Sequence, residues 1–383
     1  MHTETKCVHS GEGTDTITRG LNTPIFPSSA HEYLDAENVA YPRYFNTLNQ
    51  KVIVQKICEL EDAEDGIIFS SGMAAISTVL LAYLKAGDHV ILQDEIYGGS
   101  HAFVEMFFER FGISYSFVAT NAESIESAIK PETRIIYIET PTNPLLSIVD
   151  IQEVADIAKR NNCITVIDNT FATPISQNPI KLGIDIVIHS GTKYLGGHSD
   201  LSCGVAVTTS NLAKNIRESA TNFGGNLNAL TCYILERSLK TLSIRVKQQT
   251  ENAFQIATFL NNHSSIKKVY YPGLSDHPGH AIACAQMNGF GAMLSFELHN
   301  SNLSAYDFMK NLNLIKPAVS LGGIETTICD PATTSHAKVS AEVRARQGIT
   351  DSLLRLSVGI ENIEDLIKDI RHALTSPQTK EVS

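Results

Sequence analysis

The amino-acid sequence predicts an α/β protein: a large domain built on a mostly parallel sheet with helices on both faces, then a smaller α+β domain. Three observations support this. Short apolar, β-branched runs alternate with helix-period segments between Ile67 and Asp168, and strands that alternate with helices return in parallel. The chain has 383 residues, more than one hydrophobic core usually organises. Polar side chains suited to chemistry, Ser71, Gly72's neighbour, with Tyr97, Asn143, Asp168 and Lys193, all fall just past the ends of the apolar runs, where ligands gather in such sheets.

Residues 1–45 are rich in Thr, Ser, Pro, His and Gly, and Asn22-Thr23-Pro24 and Phe26-Pro27-Ser28 interrupt any helical period, so they read as an extended arm. The arm ends in Tyr41-Pro42-Arg43-Tyr44, a cation among aromatics that stacking at a surface or interface also explains. Apolar residues recur at helical spacing over 48–60, Asp65-Gly66 reads as a turn, and Ile67-Ile68-Phe69 is a strand running into Ser70-Ser71-Gly72 and a helix to about Leu84. There follow a strand over 89–92, a loop Tyr97-Gly98-Gly99-Ser100, an aromatic-rich helix to Phe111, a strand over 134–139, a Pro-Thr-Asn-Pro loop, a helix over 151–160 and a strand over 163–168. Asp185-Ile186-Val187-Ile188 then gives way to His189-Ser190-Gly191-Thr192-Lys193: a buried strand delivers a lysine into a polar loop. Helical periodicity over 227–260 leads out of the first domain. Strands over 268–271 and 291–296, a helix around Phe308, a strand over 353–359 and a closing helix make the second, and the tail after Ser376 reads as loose. The domains are placed at 46–245 and 246–383.

A content of 43% hydrophobic and 19% charged residues is that of a globular protein, and no apolar run reaches the length of a membrane span. The opening Met1-His2-Thr3-Glu4-Thr5-Lys6 lacks the basic-then-apolar pattern of a secretory signal, so a cytoplasmic location is expected. Seven cysteines are scattered without a Cys-x-x-Cys pair, the pattern of reduced thiols packed as small hydrophobes; no metal site is expected. A net charge of −11 without a basic stripe leaves no footprint for nucleic acid, while local amides and arginines can still hold small anions.

Pyridoxal phosphate asks four things of a protein: an amine to condense with its aldehyde, a cup for its phosphate, a carboxylate for its ring nitrogen and a stacking partner. Lys193 supplies the amine, since a half-buried lysine can act as nucleophile or proton carrier, although most lysines are solvated charges. The free amides of the helix that starts at Gly72 form an anion cup, and the same Ser-Gly pair is also a routine cap. Asp168 would keep the ring nitrogen protonated, or cap Asn169 or Thr170. Tyr97 would lie over the ring and pass a proton, or pack on the core. The hydroxyls of Ser190 and Thr192 suit the phosphate or a turn. Arg355, on a strand of the second domain, suits a forked bond to a carboxylate or a surface ion pair.

Val8-His9-Ser10-Gly11, Tyr41-Pro42-Arg43, Ser70-Ser71-Gly72-Met73-Ala74, Tyr97-Gly98-Gly99, Glu139-Thr140-Pro141-Thr142-Asn143-Pro144, Asp168-Asn169-Thr170, His189 to Tyr194, Ser320 to Glu325 and Leu354 to Gly359 occur in this order. On these segments, over essentially its whole length, the sequence resembles the Cys/Met-metabolism family of pyridoxal-phosphate enzymes, which includes cystathionine γ-lyase, γ-synthase, β-lyase and methionine γ-lyase. The resemblance implies an aspartate-aminotransferase-type (fold type I) three-layer domain that binds the cofactor. It also implies a homotetramer, a dimer of dimers with active sites shared between subunits. Lys193 would carry the cofactor, with Gly72, Met73, Ser190 and Thr192 on its phosphate, Tyr97 and Asp168 on its ring and Asn143 near its hydroxyl. Arg355 and Ser320 would bind the substrate α-carboxylate, and Tyr41 and Arg43 would reach into a neighbour's site.

Glu325 resembles the γ-lyase and γ-synthase pattern and suits a distal ammonium. Ala102 stands where many of these enzymes carry arginine, and Gly99 where methionine γ-lyases usually place cysteine. Asn226-Leu227-Asn228 and Thr334-Ser335-His336 replace more usual sequences beside the expected substrate entrance. The expected activity is therefore elimination from a small sulfur amino acid, cystathionine γ-lyase first. Cystathionine γ-synthase acting on an O-acylhomoserine, cystathionine β-lyase and methionine γ-lyase are the alternatives, and a cofactor-binding regulatory protein is the non-enzyme one. Neither nucleic acid nor a membrane is an expected partner.

Overall fold

The computed structural model describes residues 1–299, 303–335, 337 and 341–375; His336 and the tail after Ser376 lie outside the described residues. The arm opens with helix α1 (Thr3–His9) and is followed by α2 (Leu48–Glu61). The large domain then alternates: β1 (Asp65–Phe69), α3 (Gly72–Tyr83), β2 (His89–Gln93), α4 (Gly98–Phe107), β3 (Ser114–Val118), α5 (Ala122–Ser127), β4 (Thr133–Glu139), α6 (Ile151–Arg160), β5 (Ile164–Asp168), α7 (Thr173–Ser176), β6 (Ile186–His189), β7 (Gly204–Thr208) and α8 (Ser210–Phe223). Helices α9 (Ala229–Leu239) and α10 (Leu242–Asn261) lead to β8 (Ile266–Tyr270), α11 (His280–Gln286), β9 (Met293–Leu298), α12 (Ala305–Lys310), β10 (Lys316–Pro317), β11 (Thr327–Cys329), α13 (Ala341–Arg346), β12 (Leu353–Ser357) and α14 (Ile363–Thr375).

The large sheet has the order β1-β7-β6-β5-β4-β2-β3. Only β7 runs against its neighbours, so the sheet is mostly parallel, as expected. Its side chains alternate between two apolar layers, the period-two signature of a sheet covered on both faces. Ile67, Phe69, Val90, Leu92, Tyr137 and Ile188 join one layer; Ile68, Ile91, Ile138, Ile167, Val187 and Val205 join the other. The smaller sheet, β10-β11-β12-β9-β8, has its own core, in which Phe296, Leu354 and Leu356 meet Phe308, Leu366 and Ile370. The expected boundary at 245/246 falls inside α10: Leu242 and Val246 are buried in the large core, and Ala253, Ile256, Ala257 and Leu260 in the small one.

Several elements differ from expectation. The arm starts as a helix because Cys7 is buried and Lys56 Nζ, itself buried, donates to the carbonyls of Cys7 and Val8 at 3.1 and 3.3 Å. Beyond it, Ile17, Leu21 and Leu34 remain exposed. Asp65-Gly66 is not a turn but the start of β1, paired with Thr208 and Val207; a Cβ at Gly66 would lie 2.6 Å from the Ala206 carbonyl oxygen. Gly98 and Gly99 begin α4 rather than open a loop, and a Cβ on Gly99 would lie 2.5 Å from the Tyr97 ring, so its absence gives that ring room. Strand β3 is a half-exposed edge and α8 buries only Ala213, Ile216 and Ala220, so neither carries a strong apolar period in the sequence. The long 227–260 period is two helices.

Candidate active site

The carboxyl ends of β4, β5 and β6, the start of α3 and the entry of α4 surround a cavity of about 570 Å³, a volume suited to a cofactor and a small substrate. Lys193, Asp168, Tyr97, Gly72, Met73, Asn143, Ser190, Thr192, Ser320 and Arg355 all line it. Gly72 is required: a Cβ there would meet the Ser190 side chain at 2.8 Å. Ser71 Oγ accepts the Ala74 amide at 3.1 Å and the Ser71 carbonyl accepts that of Ala75 at 3.2 Å, while the Gly72 and Met73 amides belong to the first turn, where helix amides have no intrahelical acceptor.

Lys193 follows β6 by four residues and its Nζ donates to Ser320 Oγ at 2.7 Å. Burial, aided by the nearby Arg355 guanidinium and opposed by Asp168, lowers its pKa to about 8. Asp168 closes β5 and is directly paired in register with Glu139 at the end of β4. Both are buried. Burial raises the Asp168 carboxyl against the Thr170 hydrogen bonds that favour its anion, and raises Glu139 well above the carboxylate range, with Asp168 adding to the effect. Two buried carboxyls side by side disfavour double ionisation, and both stand raised. Thr170 donates its amide to Asp168 Oδ1 at 3.0 Å, and Tyr97 donates its amide to Glu139 Oε2 at 2.8 Å.

Arg355 is buried on β12 and donates from Nη1 to Asn143 Oδ1 at 2.8 Å and from Nη2 to the Ser320 carbonyl at 3.4 Å. Its Nε is buried without a partner among the described residues. Ser320 takes a φ of 76°, a left-handed conformation that is strained for serine. The Thr192 hydroxyl donates to the Cys203 carbonyl at 3.2 Å and accepts that residue's amide at 3.1 Å, while the Ser190 amide donates to Thr170 Oγ1 at 2.8 Å.

Three expected site residues lie apart from this cavity. Glu325 is exposed and accepts the Ser199 hydroxyl. Arg43 donates to the Thr221 carbonyl at 2.8 Å and sits 5.7 and 5.4 Å from the Tyr41 and Tyr44 ring centres. Sequence reading gave Glu139 no role; an acidic residue ending an apolar strand beside another such strand was the available signal. Among the described residues no cluster of His, Cys, Asp and Glu could hold a metal ion, and no described helix is long and apolar enough to cross a membrane.

A half-buried amine, an anion cup at a helix start and a buried carboxylate at adjoining strand ends fit pyridoxal phosphate, and together with the two-sheet architecture they define an enzyme of the fold type I class. The chain belongs to the family described as Cys/Met metabolism PLP-dependent enzymes, which it matches over residues 4–375. It is 43% identical over 375 residues to a cystathionine β-lyase of Lactococcus lactis subsp. cremoris, covering 97% of this chain and 98% of that protein. It is also 43% identical over 378 residues to a cystathionine γ-lyase of Bacillus subtilis, covering 98% and 99%. The crystal structure of cystathionine γ-lyase from Lactobacillus plantarum complexed with L-serine superposes with a TM-score of 0.95 at 38% identity, covering 98% of this chain and 99% of that one.

Proposed function

We propose that this enzyme is a carbon–sulfur lyase that cleaves cystathionine at its Cγ–S bond, releasing cysteine, α-ketobutyrate and ammonia. The observation that carries the reading is the convergence of Lys193, Asp168 and Arg355 on one cavity. Pyridoxal phosphate, when bound, supplies an electron sink for charge that develops on the substrate Cα. The Gly72 and Met73 amides and the Ser190 and Thr192 hydroxyls would hold the phosphate, Thr192 turning its proton away from Cys203. Asp168 would keep the ring nitrogen protonated, Tyr97 would cover the ring, and Asn143 would face its hydroxyl.

Arg355, assisted by Ser320, would grip the substrate α-carboxylate with its fork. Lys193, as a neutral amine, would take the Cα proton, give it back to the bound substrate–cofactor pair at a different carbon and, neutral again, take a Cβ proton, while Tyr97 would donate one to the departing sulfur. A lysine poised at about 8 supports this reading, since such a group gives and takes protons near neutrality. Glu325 would meet the distal ammonium. β-Elimination, which needs only the first proton transfer, is the second reading, favoured by the cystathionine β-lyase relative.

A homotetramer in which Tyr41 and Arg43 enter a neighbour's site, and a cytoplasmic location, belong to the same proposal; the exposed apolar arm and the unpaired cysteines support them. Product analysis with cystathionine tests the reaction. Cysteine with α-ketobutyrate is expected, and homocysteine with pyruvate would move the assignment to β-elimination. Lys193→Ala should lose at least about 10³-fold in kcat together with the visible absorption band of the lysine-bound cofactor; normal turnover by that variant would sink the proposal.

A further inference from the structure

Helix α10 carries Arg245, Gln249 and Asn252 at i, i+4 and i+7, one face of the helix. On a surface helix such a stripe would meet water. Here all three side chains are buried, with exposures of 4%, 0% and 1%; Arg245 and Gln249 reach backbone carbonyls of the loops that carry Lys193 and Ser320, and Asn252 reaches those of the turn after β12, the strand of Arg355. Arg245 donates to the Tyr194 carbonyl at 2.8 Å and the Leu195 carbonyl at 3.4 Å, the two residues after Lys193; the Ser238 carbonyl and the Thr241 hydroxyl complete its fork. Gln249 Nε2 donates to the Gly323 carbonyl at 2.7 Å and the Val358 carbonyl at 3.1 Å. Asn252 Nδ2 donates to the Gly359 and Glu361 carbonyls at 3.1 and 2.9 Å.

The loops so held also touch each other. The Ile324 amide donates to the Gly197 carbonyl at 3.0 Å. A Cβ on Gly322 would lie 2.8 Å from the Tyr194 nitrogen. Gly197 takes a φ of +67°, and a Cβ there would overlap the Arg245 guanidinium at 1.9 Å, so only glycine lets that fork reach the lysine loop. A buried carbonyl deprived of its donor is costly, which ties both loops to the helix.

We propose that this face of α10 sets the distance between Lys193 and the substrate-carboxylate loop, with Arg245, Gln249 and Asn252 as positioning residues. The proposal rests on the roles of Lys193 and Arg355 given above and adds the device that holds groups from two sheets in one geometry. Arg245 governs the cofactor side; Gln249 and Asn252 govern the substrate side. Productive geometry is demanding, and small misplacements at a reacting centre are expensive in rate.

The test compares Gln249→Leu, Arg245→Lys and Glu251→Ala, the last being an exposed residue of the same helix. Readouts are the pyridoxal-phosphate dissociation constant, the pH at which the bound cofactor's absorption titrates, kcat and KM for cystathionine, and Tm. Gln249→Leu should raise KM about tenfold while leaving the cofactor constant within about twofold. Arg245→Lys, which keeps the charge and loses the fork, should weaken cofactor binding about tenfold and shift the absorption titration. Glu251→Ala should move none of these. Parallel changes in both constants, or a fall in Tm alone, would overturn the proposal.

Wild-type holoenzyme gives a reading that needs no variant: saturating glycine, an amino acid with no leaving group, should slow hydrogen exchange at 194–197 and 322–325 together, and protection of one loop alone would count against the coupling. A wild-type protein that binds cofactor but turns over no sulfur amino acid would sink the function proposed above, while the cofactor constants of Arg245→Lys and Gln249→Leu would still decide the role of α10.

Discussion

Asp168 and Glu139 are chemically alike, adjacent and buried, yet their surroundings separate them. Asp168 receives the Thr170 amide and faces Lys193, whereas Glu139 is spent on the Tyr97 amide. Asp168→Asn should therefore lower kcat about 10²-fold or more, and Glu139→Gln, whose amide oxygen can still accept from the Tyr97 amide, should cost at least about tenfold less. Steady-state kinetics of the two purified variants checks the difference. Lys193 makes a second prediction. Its folded pKa of about 8 lies below its ordinary 10.5, so between those values the folded chain binds fewer protons than the unfolded one. Stability of the cofactor-free protein attributable to this group should then rise with pH across the window from about 8 to 10.5. Lys193→Met should abolish that increment, as Tm measured at pH 8 and pH 10 would reveal.

At the scale of elements, α14 is fastened by Asp369, whose carboxylate accepts the amides of Asn313, Leu314 and Ile315 at 2.8, 3.0 and 2.9 Å. Asp369→Ala leaves three donors without that acceptor and should cost about 1–3 kcal/mol, measurable by urea denaturation with kcat little changed in the folded protein. Which elements were legible in the sequence follows from the range of the forces involved. The strands ending at Phe69, Asp168 and His189 are local apolar runs, and Asp168 stands out because it ends such a run, Lys193 because it lies in the polar loop just beyond one. The pairing of Glu139 with Asp168 depends on the register of β4 against β5, and the bond from Arg355 to Asn143 spans 212 positions of chain; no local pattern contains either. Arg245, Gln249 and Asn252 were hidden for the opposite reason, because polar residues at helical spacing ordinarily mark the solvent face.

The whole molecule leaves Ile17, Leu21, Tyr33 and Leu34 of its arm exposed. If Arg43 serves a neighbour's site, mixing Lys193→Ala with Arg43→Ala subunits should rebuild intact sites, up to about a quarter of the total for random pairing in a twofold dimer. Turnover by the mixture beyond the sum of the separate variants would support sharing, and strict additivity would exclude it. Helix α10 has its first turns in one core and its last in the other. The two sheets therefore cannot melt separately without one of them stripping half of a common helix, and circular-dichroism transitions followed in the peptide and aromatic bands should superpose despite two distinct domains.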